Sequence, residues 1–417
     1  MNTLYSSREF YLPRWITPAL QSASEDHPII VLTGARQTGK STLLLNADPF
    51  RGWRFLSLDD FDVLRQARQR PEALWAGADR VVLDEVQRAP ELLLAVKQVV
   101  DRAGGRLRFA LSGSASLLLM RQVSESLAGR AVYFVLYPMT HGETRRADPP
   151  LVLQQALAGT LPGEQVLASA PPDPLEPMLR GYMPALLALS ASQSWTRWWD
   201  GYVTTYLERD LRQLSQIDNL LDFRRLMELL ALRSAQLLNQ SELGRDAHIS
   251  QPTVHRYLNL LETTHLFERL PAFTASRTSR LMKTPKAFWN DPGLAIFLSG
   301  YYDLPALQQA RELGAYFETM IFHHLRVLAT LMTPRARLYY WRTRAGQEVD
   351  FVLEHGRRLL GIEVKLARQV SYSDAASLQM FLDMHPATSG GLLLYAGNVV
   401  RHLGERIVAV PWTLLTG

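Results

Sequence analysis

The stretch Gly34-Ala35-Arg36-Gln37-Thr38-Gly39-Lys40-Ser41 constrains the fold of this chain more than any other. It has the form G-x-x-x-x-G-K-[ST], in which glycines let the backbone wrap a chain of phosphates. The apolar run Ile29-Ile30-Val31-Leu32-Thr33 precedes it at buried-strand length, and Thr42-Leu43-Leu44-Leu45 begins a helical pattern after it. Strand, loop and helix in that order aim the free N–H groups of a helix N-terminus at negative charge. Residues Gly34 to Thr42 are therefore expected to bind ATP. Lys40 would reach the β- and γ-phosphates and Ser41 would ligate Mg²⁺.

A partner motif lies downstream. Arg80-Val81-Val82-Leu83-Asp84-Glu85-Val86 is an apolar strand ending in two carboxylates. Asp84 at the tip would hold Mg²⁺, directly or through water, and Glu85 would orient and deprotonate the attacking water. Trp53 to Leu58, Leu107 to Leu111 and Val132 to Leu136 read as further strands, the first ending in Asp59-Asp60 and the second in Ser112-Gly113-Ser114. Strands alternating with helical stretches predict a doubly wound parallel sheet with its ligand at the carboxyl ends of the strands. Fast hydrolysis needs one more positive charge, often an arginine from a neighbouring subunit. Arg130, Arg121 and Arg209 are the candidates, and a homo-oligomer, as a ring or otherwise, is the expected assembly.

At 417 residues the chain exceeds one ordinary core, so two to four domains are expected. It contains no cysteine, which excludes disulfides, thiol chemistry and a cysteine-based zinc site. No run of eighteen apolar residues and no charged-then-apolar leader is visible, so no membrane partner is expected and cytoplasmic residence is the default. A net charge of +5 and a pI near 9.4 permit nucleic-acid contact without requiring it. Residues 1–145 are assigned to the ATPase core and 146–232 to a helical linker or lid region. Its start, as in Ala170-Pro171-Pro172-Asp173-Pro174, reads as an irregular insertion, and its aromatic stripe (Trp195, Trp198, Trp199, Tyr202, Tyr206) reads as core rather than base-stacking platform.

Residues 233–305 carry a helix-turn-helix pattern. Ser241 to Ala247 suggests a short helix with Ser241 as its N-cap, His248-Ile249-Ser250 the turn, and Gln251 to Leu261 a second helix with proline in its first turn. Leu266 to Pro271 reads as a wing strand. In such a winged helix Gln251, Thr253, His255 and Arg256 would face outward, toward a DNA major groove or a protein. Arg277, Arg280, Lys283 and Lys286 follow within ten residues and strengthen the DNA reading.

Residues 306–417 hold a set of carboxylates in order. A helix from Gly314 to about Leu331 carries Glu318, a strand carries Asp350, and the next strand carries Glu363-Val364-Lys365. With a period of two, Glu363 and Lys365 share a face. Glu318, Asp350 and Glu363 are candidate ligands for one or two Mg²⁺ ions, with Lys365 positioning or deprotonating water at a phosphodiester. An amphipathic hairpin with solvent-facing charges is the competing reading, and a nuclease fold retained for binding without cleavage is a third.

Taken together, these motifs resemble a bacterial and archaeal family of AAA+-type ATPases whose C-terminal domain of unknown function is similar to PD-(D/E)XK nucleases. The likeness rests on Gly34–Ser41, Leu83-Asp84-Glu85, Leu111-Ser112-Gly113-Ser114, Leu127-Ala128-Gly129-Arg130, Tyr206-Leu207-Glu208-Arg209-Asp210, Asn290-Asp291-Pro292-Gly293-Leu294 and the run from Gly346 to Lys365. Val349 stands where the nuclease pattern has proline. The resemblance implies an AAA+ P-loop core, a helical segment, a winged helix and a restriction-endonuclease-like α/β domain. It also makes Ser112 or Ser114 a sensor of the γ-phosphate. Three functions follow as expectations. One is an ATP-driven processor of duplex or branched, Holliday-junction-like DNA. The second is a nucleotide-switched signalling or defence ATPase with a non-cleaving C-terminal module, and the third a protein-remodelling ATPase.

Overall fold

The computed structural model describes residues 11–114, 127, 129–168, 171–205, 217, 219–274, 280 and 283–417. Strands β1 (Ile29–Thr33), β2 (Arg54–Ser57), β3 (Arg80–Asp84), β4 (Arg108–Ser112) and β5 (Ala131–Val135) form one sheet in the order β2-β3-β4-β1-β5. All of its pairings are parallel, so every strand ends at the same rim. The near-continuous apolar runs follow from burial on both faces. Ile29 and Val31 enter one core with Leu83 and Leu111, while Ile30 and Leu32 enter another with Val82 and Ala110.

Beyond β5 the stretch expected to be a linker is built into the C-terminal part. Helix Val152–Leu157 docks there, with Ser389 Oγ donating to the Leu157 carbonyl at 2.8 Å. The short strand β6 (Gln165–Val166) joins a distant sheet edge. Helices Leu220–Leu232, Gln240–Ala247 and Gln251–Thr263 then lead into a hairpin of β7 (Phe267–Leu270) and β8 (Lys286–Trp289). The N-cap of the first short helix is Asn239 rather than Ser241, because the Asn239 side chain accepts from the Ser241 and Glu242 amides, both at 3.2 Å. Ser250 caps the second helix, and Pro252 lies in its first turn.

The C-terminal sheet has seven strands in the order β6-β13-β14-β12-β11-β10-β9. Here β9 (Arg337–Arg342), β10 (Glu348–His355) and β11 (Arg358–Lys365) form an antiparallel meander, and β12 (Thr388–Tyr395) and β14 (Ile407–Pro411) run parallel to β11. β13 (Val399–Gly404) links β14 to β6. The long helix Leu313–Leu331 covers one face and Ala376–Met384 the other. The core under the long helix is continuous with that of the helix-turn-helix, taking in Val254, Leu258, Phe288, Phe322 and Phe351 together. The two regions thus share one hydrophobic interior.

Candidate functional site

The phosphate loop starts where β1 ends and closes on Gly39, whose φ of 95° is left-handed and strained for any residue with a Cβ. Helix Lys40–Asn46 begins at the next residue. The Lys40 ammonium lies folded on its own loop, donating to the carbonyls of Gly34 at 3.1 Å and Ala35 at 2.8 Å. Burial pushes its pKa down, against the opposing charges of Glu85 and Asp84.

At the tip of β3 Asp84 is buried and accepts from the Ser112 hydroxyl at the tip of β4. Ser41 also donates to it; burial nevertheless raises its pKa. A hydroxyl and a carboxylate from adjoining elements form the hard-oxygen donor set that Mg²⁺ takes, so Ser41 and Asp84 fit that ion. Glu85 follows with a left-handed φ of 57°. The Gln87 amide donates to its carboxylate and, at 3.0 Å, to Ser114 Oγ. Burial, then the charge of Asp84, raises the Glu85 pKa. The two serines left open by the sequence therefore differ: Ser112 orients Asp84, and Ser114 belongs to the Gln87–Glu85 chain.

A cavity of about 470 Å³ opens over this loop, lined by Arg36, Gln37, Thr38, Gly39, Lys40, Ser41 and Thr42 on one side and by Tyr11, Leu12, Pro184 and Trp198 on the other. Trp198 stacks on Tyr202 with ring centroids 5.3 Å apart. Arg14, buried, donates to the Thr38 carbonyl at 2.9 Å, to the Tyr137 carbonyl at 2.7 Å and to Glu143 at 3.2 Å. Arg14, itself part of the cavity lining, thus braces the loop. No sequence motif signals the role of Arg14.

Arg130 is placed elsewhere. It precedes β5, level with the start of β1, and its Nη2 donates to Asp101 at 3.0 Å. It lies a full strand length from the rim that carries Lys40 and does not line its own chain's phosphate loop, because parallel strands send their N-terminal ends to the opposite rim. Arg121 and Arg209 lie outside the described residues.

In the C-terminal domain the expected residues do converge. The Asp350 carboxylate on β10 accepts from the Val364 amide at 2.8 Å, Lys365 donates to Glu363 at 2.9 Å, and Glu318 approaches from the long helix. A residue from another region completes the group. Lys286, on β8, places its ammonium 2.8 Å from Glu318, 2.6 Å from Glu348 and 3.8 Å from Asp350, with its side chain 4% exposed. Burial opposes that charge, but Glu318, Asp350 and Glu348 outweigh it and raise the Lys286 pKa. Burial, then the charge of Asp350, pushes Glu318 and Glu363 up to about 8.

Among the described residues no group of three or more Asp, Glu or His side chains is arranged to hold a metal ion. A lysine ammonium stands among these carboxylates. The basic run read as strengthening nucleic-acid contact is split: Lys283 is exposed, while two of its members are not. Besides Lys286, Arg280 is turned inward: it pairs with Glu354 at 3.0 Å and lies over the rings of Phe273 and Tyr339 at 4.6 and 4.7 Å. Arg277 lies outside the described residues. On the second helix of the turn, Gln251, His255 and Arg256 are exposed and Thr253 half-buried.

Residues 26–145 match the AAA domain family, 173–304 a domain of unknown function (DUF8612) and 313–415 another domain of unknown function (DUF4143). The uncharacterized protein Rv2008c of Mycobacterium tuberculosis is 32% identical over 393 residues, spanning 94% of this chain and 82% of its own, and Mb2031c of Mycobacterium bovis matches to the same extent. Among solved structures, a Walker-type ATPase of Pyrococcus abyssi aligns at 18% identity over 70% of this chain and 97% of its own, with a TM-score of 0.47.

Proposed function

The chain belongs to the family of these mycobacterial proteins, an AAA-type ATPase domain followed by two domains of unknown function, and on that premise we propose that it is a Mg²⁺-ATP-hydrolysing protein that works on DNA through its helix-turn-helix and does not cut it. The observation that carries the ATPase reading is the meeting of Lys40, Ser41, Asp84 and Glu85 at the carboxyl rim of the parallel sheet. Lys40 would leave the carbonyls of Gly34 and Ala35 for the phosphates. Ser41 and Asp84 would hold Mg²⁺, which when bound neutralises phosphate charge. Asp84 is kept in place by Ser112. Glu85, its pKa raised by burial and then by the charge of Asp84, would turn from Gln87 to the attacking water. A homo-oligomer remains the expected working form, with a neighbour's arginine completing the site.

The DNA reading is supported by a winged-helix-like order of helices and hairpin, and by the exposed face of helix Gln251–Thr263. The non-cleaving reading is supported by Lys286 among the carboxylates. The test is steady-state ATP hydrolysis with Mg²⁺, alone and with single-stranded, duplex and four-way-junction DNA, with the DNA followed on a gel. Hydrolysis stimulated by one form, without cleavage, is the expected result. Turnover indifferent to all three would overturn the DNA reading and favour a nucleotide-switched ATPase with a protein partner. Turnover that survives Lys40→Ala would overturn the site itself.

A further inference from the structure

We propose that the ammonium of Lys286 is the resident cation of the C-terminal acidic centre, standing where a divalent metal would otherwise be held and clasping the β7–β8 hairpin to the C-terminal sheet. The proposal deepens the non-cleaving reading above.

Three features carry it. First, the ammonium is enclosed: its side chain is 4% exposed, Glu318 and Glu348 accept at 2.8 and 2.6 Å, and Asp350 stands at 3.8 Å. An ammonium offers three donors and no acceptor, which suits a cage of carboxylates. Second, the carboxylates come from separate elements, Glu318 from the long helix and Glu348 and Asp350 from β10, while Lys286 comes from the wing hairpin. The cation therefore joins elements far apart in sequence, and β8 is fixed independently by pairing with β7 and by a bridge from Lys286 to Leu237. Third, Glu363 Oε2 is buried without a hydrogen-bond partner in the described structure, while Oε1 accepts from Lys365. An oxygen ligand is thus at hand beside Asp350 that the lysine does not use.

Mg²⁺ and Mn²⁺ need several oxygens at close range, including the ones Lys286 already engages. Two cations cannot share that cage, so the metal is excluded while the lysine is in place. Withdrawing the ammonium would leave Glu318, Glu348, Asp350 and Glu363 facing one another, an arrangement stable only with protons or a divalent ion.

The experiment uses the full chain without nucleotide and reads Mn²⁺ binding by calorimetry, with hydrogen exchange at the β10 and β11 amides to locate it. Wild-type protein should show no Mn²⁺-dependent protection of β10 and β11 at millimolar Mn²⁺. Lys286→Met should acquire a Mn²⁺ site there, roughly tenfold or more tighter than any in wild type, and Asp350→Asn added to it should remove that site. Lys286→Arg, which keeps the charge, should stay closed. Protection of β10 and β11 by Mn²⁺ in wild type would overturn the proposal. So would a folded Lys286→Met that gains no site. If Lys286→Met does not fold, the wild-type arm decides alone. Because metal binding is read directly, failure here is distinct from an unexpected cut in the DNA assay.

Discussion

Glu85 and Lys40 share a buried pocket, yet each is engaged by its own neighbourhood, Lys40 by loop carbonyls and Glu85 by Gln87. Their substitutions should separate binding from chemistry. Glu85→Gln keeps the shape and should leave ATP affinity nearly unchanged while slowing turnover by about 10²–10⁴-fold, checked by equilibrium nucleotide binding beside steady-state hydrolysis. Arg14 presents a different problem. Its partner Glu143 is also held by the Trp15 and Thr140 amides, each at 2.8 Å, so removing the guanidinium leaves a buried carboxylate only partly compensated. Arg14→Met is expected to cost about 2–4 kcal/mol in a denaturant titration. It should also weaken ATP binding, because the Thr38 carbonyl loses its brace.

Among the elements, the short helix Pro292–Leu298 shows why a run without catalytic chemistry is so particular. Asp291 caps it, accepting from the Gly293 amide at 2.8 Å and from the Tyr182 amide at 2.9 Å. A Cβ on Gly293 would fall 2.6 Å from Gly181 Cα and 2.7 Å from its nitrogen, both backbone atoms that cannot swing aside. Gly293→Ala should therefore destabilise the protein by about 1–3 kcal/mol, measured as a lower midpoint in chemical denaturation with ATPase activity retained in the folded fraction. The helix Gln251–Thr263 has the opposite character. It buries Val254, Tyr257, Leu258 and Leu261 and exposes His255 and Arg256. His255→Ala with Arg256→Ala should leave stability intact and weaken DNA binding. If Arg256 contacts one phosphate, the salt dependence should fall by about 0.9 in log–log slope; unchanged affinity would turn the helix over to protein contacts.

Across the whole molecule, four histidines sit where the regions meet. His141 and His324 are pushed down to about 3, and His265 and His323 to about 4, in each case chiefly by burial. Nearby charges act in the same direction: Arg145 and Arg180 at His141, Lys40 and Arg326 at His265, Arg14 at His323. The His141 amide donates to His324 Nε2 at 3.0 Å, tying the segment after β5 to the long helix. The unfolded chain takes up these protons near pH 6.5 and the folded chain only near 3–4. The histidines' contribution is therefore full above about pH 6.5 and falls as the pH drops toward 4, by up to about 1.4 kcal/mol per pH unit for each one kept neutral, while the raised carboxyls of Glu318 and Glu363 act in the opposite sense over the same range. Thermal midpoints measured across that range should show His323→Gln gaining on the wild type as the pH falls, because the variant lacks one histidine that must stay neutral.

The sequence by itself determined the phosphate loop, the carboxylate pair after β3, the alternation that makes a parallel sheet, and the turn between the two short helices. These are local: a phosphate cradle needs particular residues at fixed spacing, and helix and strand periods are written in neighbouring positions. The ordered carboxylates of the C-terminal strands were legible for the same reason, as was their meeting at one place. Only the tertiary structure decided what they meet. Lys286 is 32 residues before Glu318, in a basic run whose composition points to solvent. Arg14 reaches Glu143 across 129 residues. Arg130 stands away from its own chain's phosphate loop because strand direction puts the start of β5 on the far rim. A buried charge is placed by whichever partner the packing brings to it, and no spacing along the chain encodes that partner.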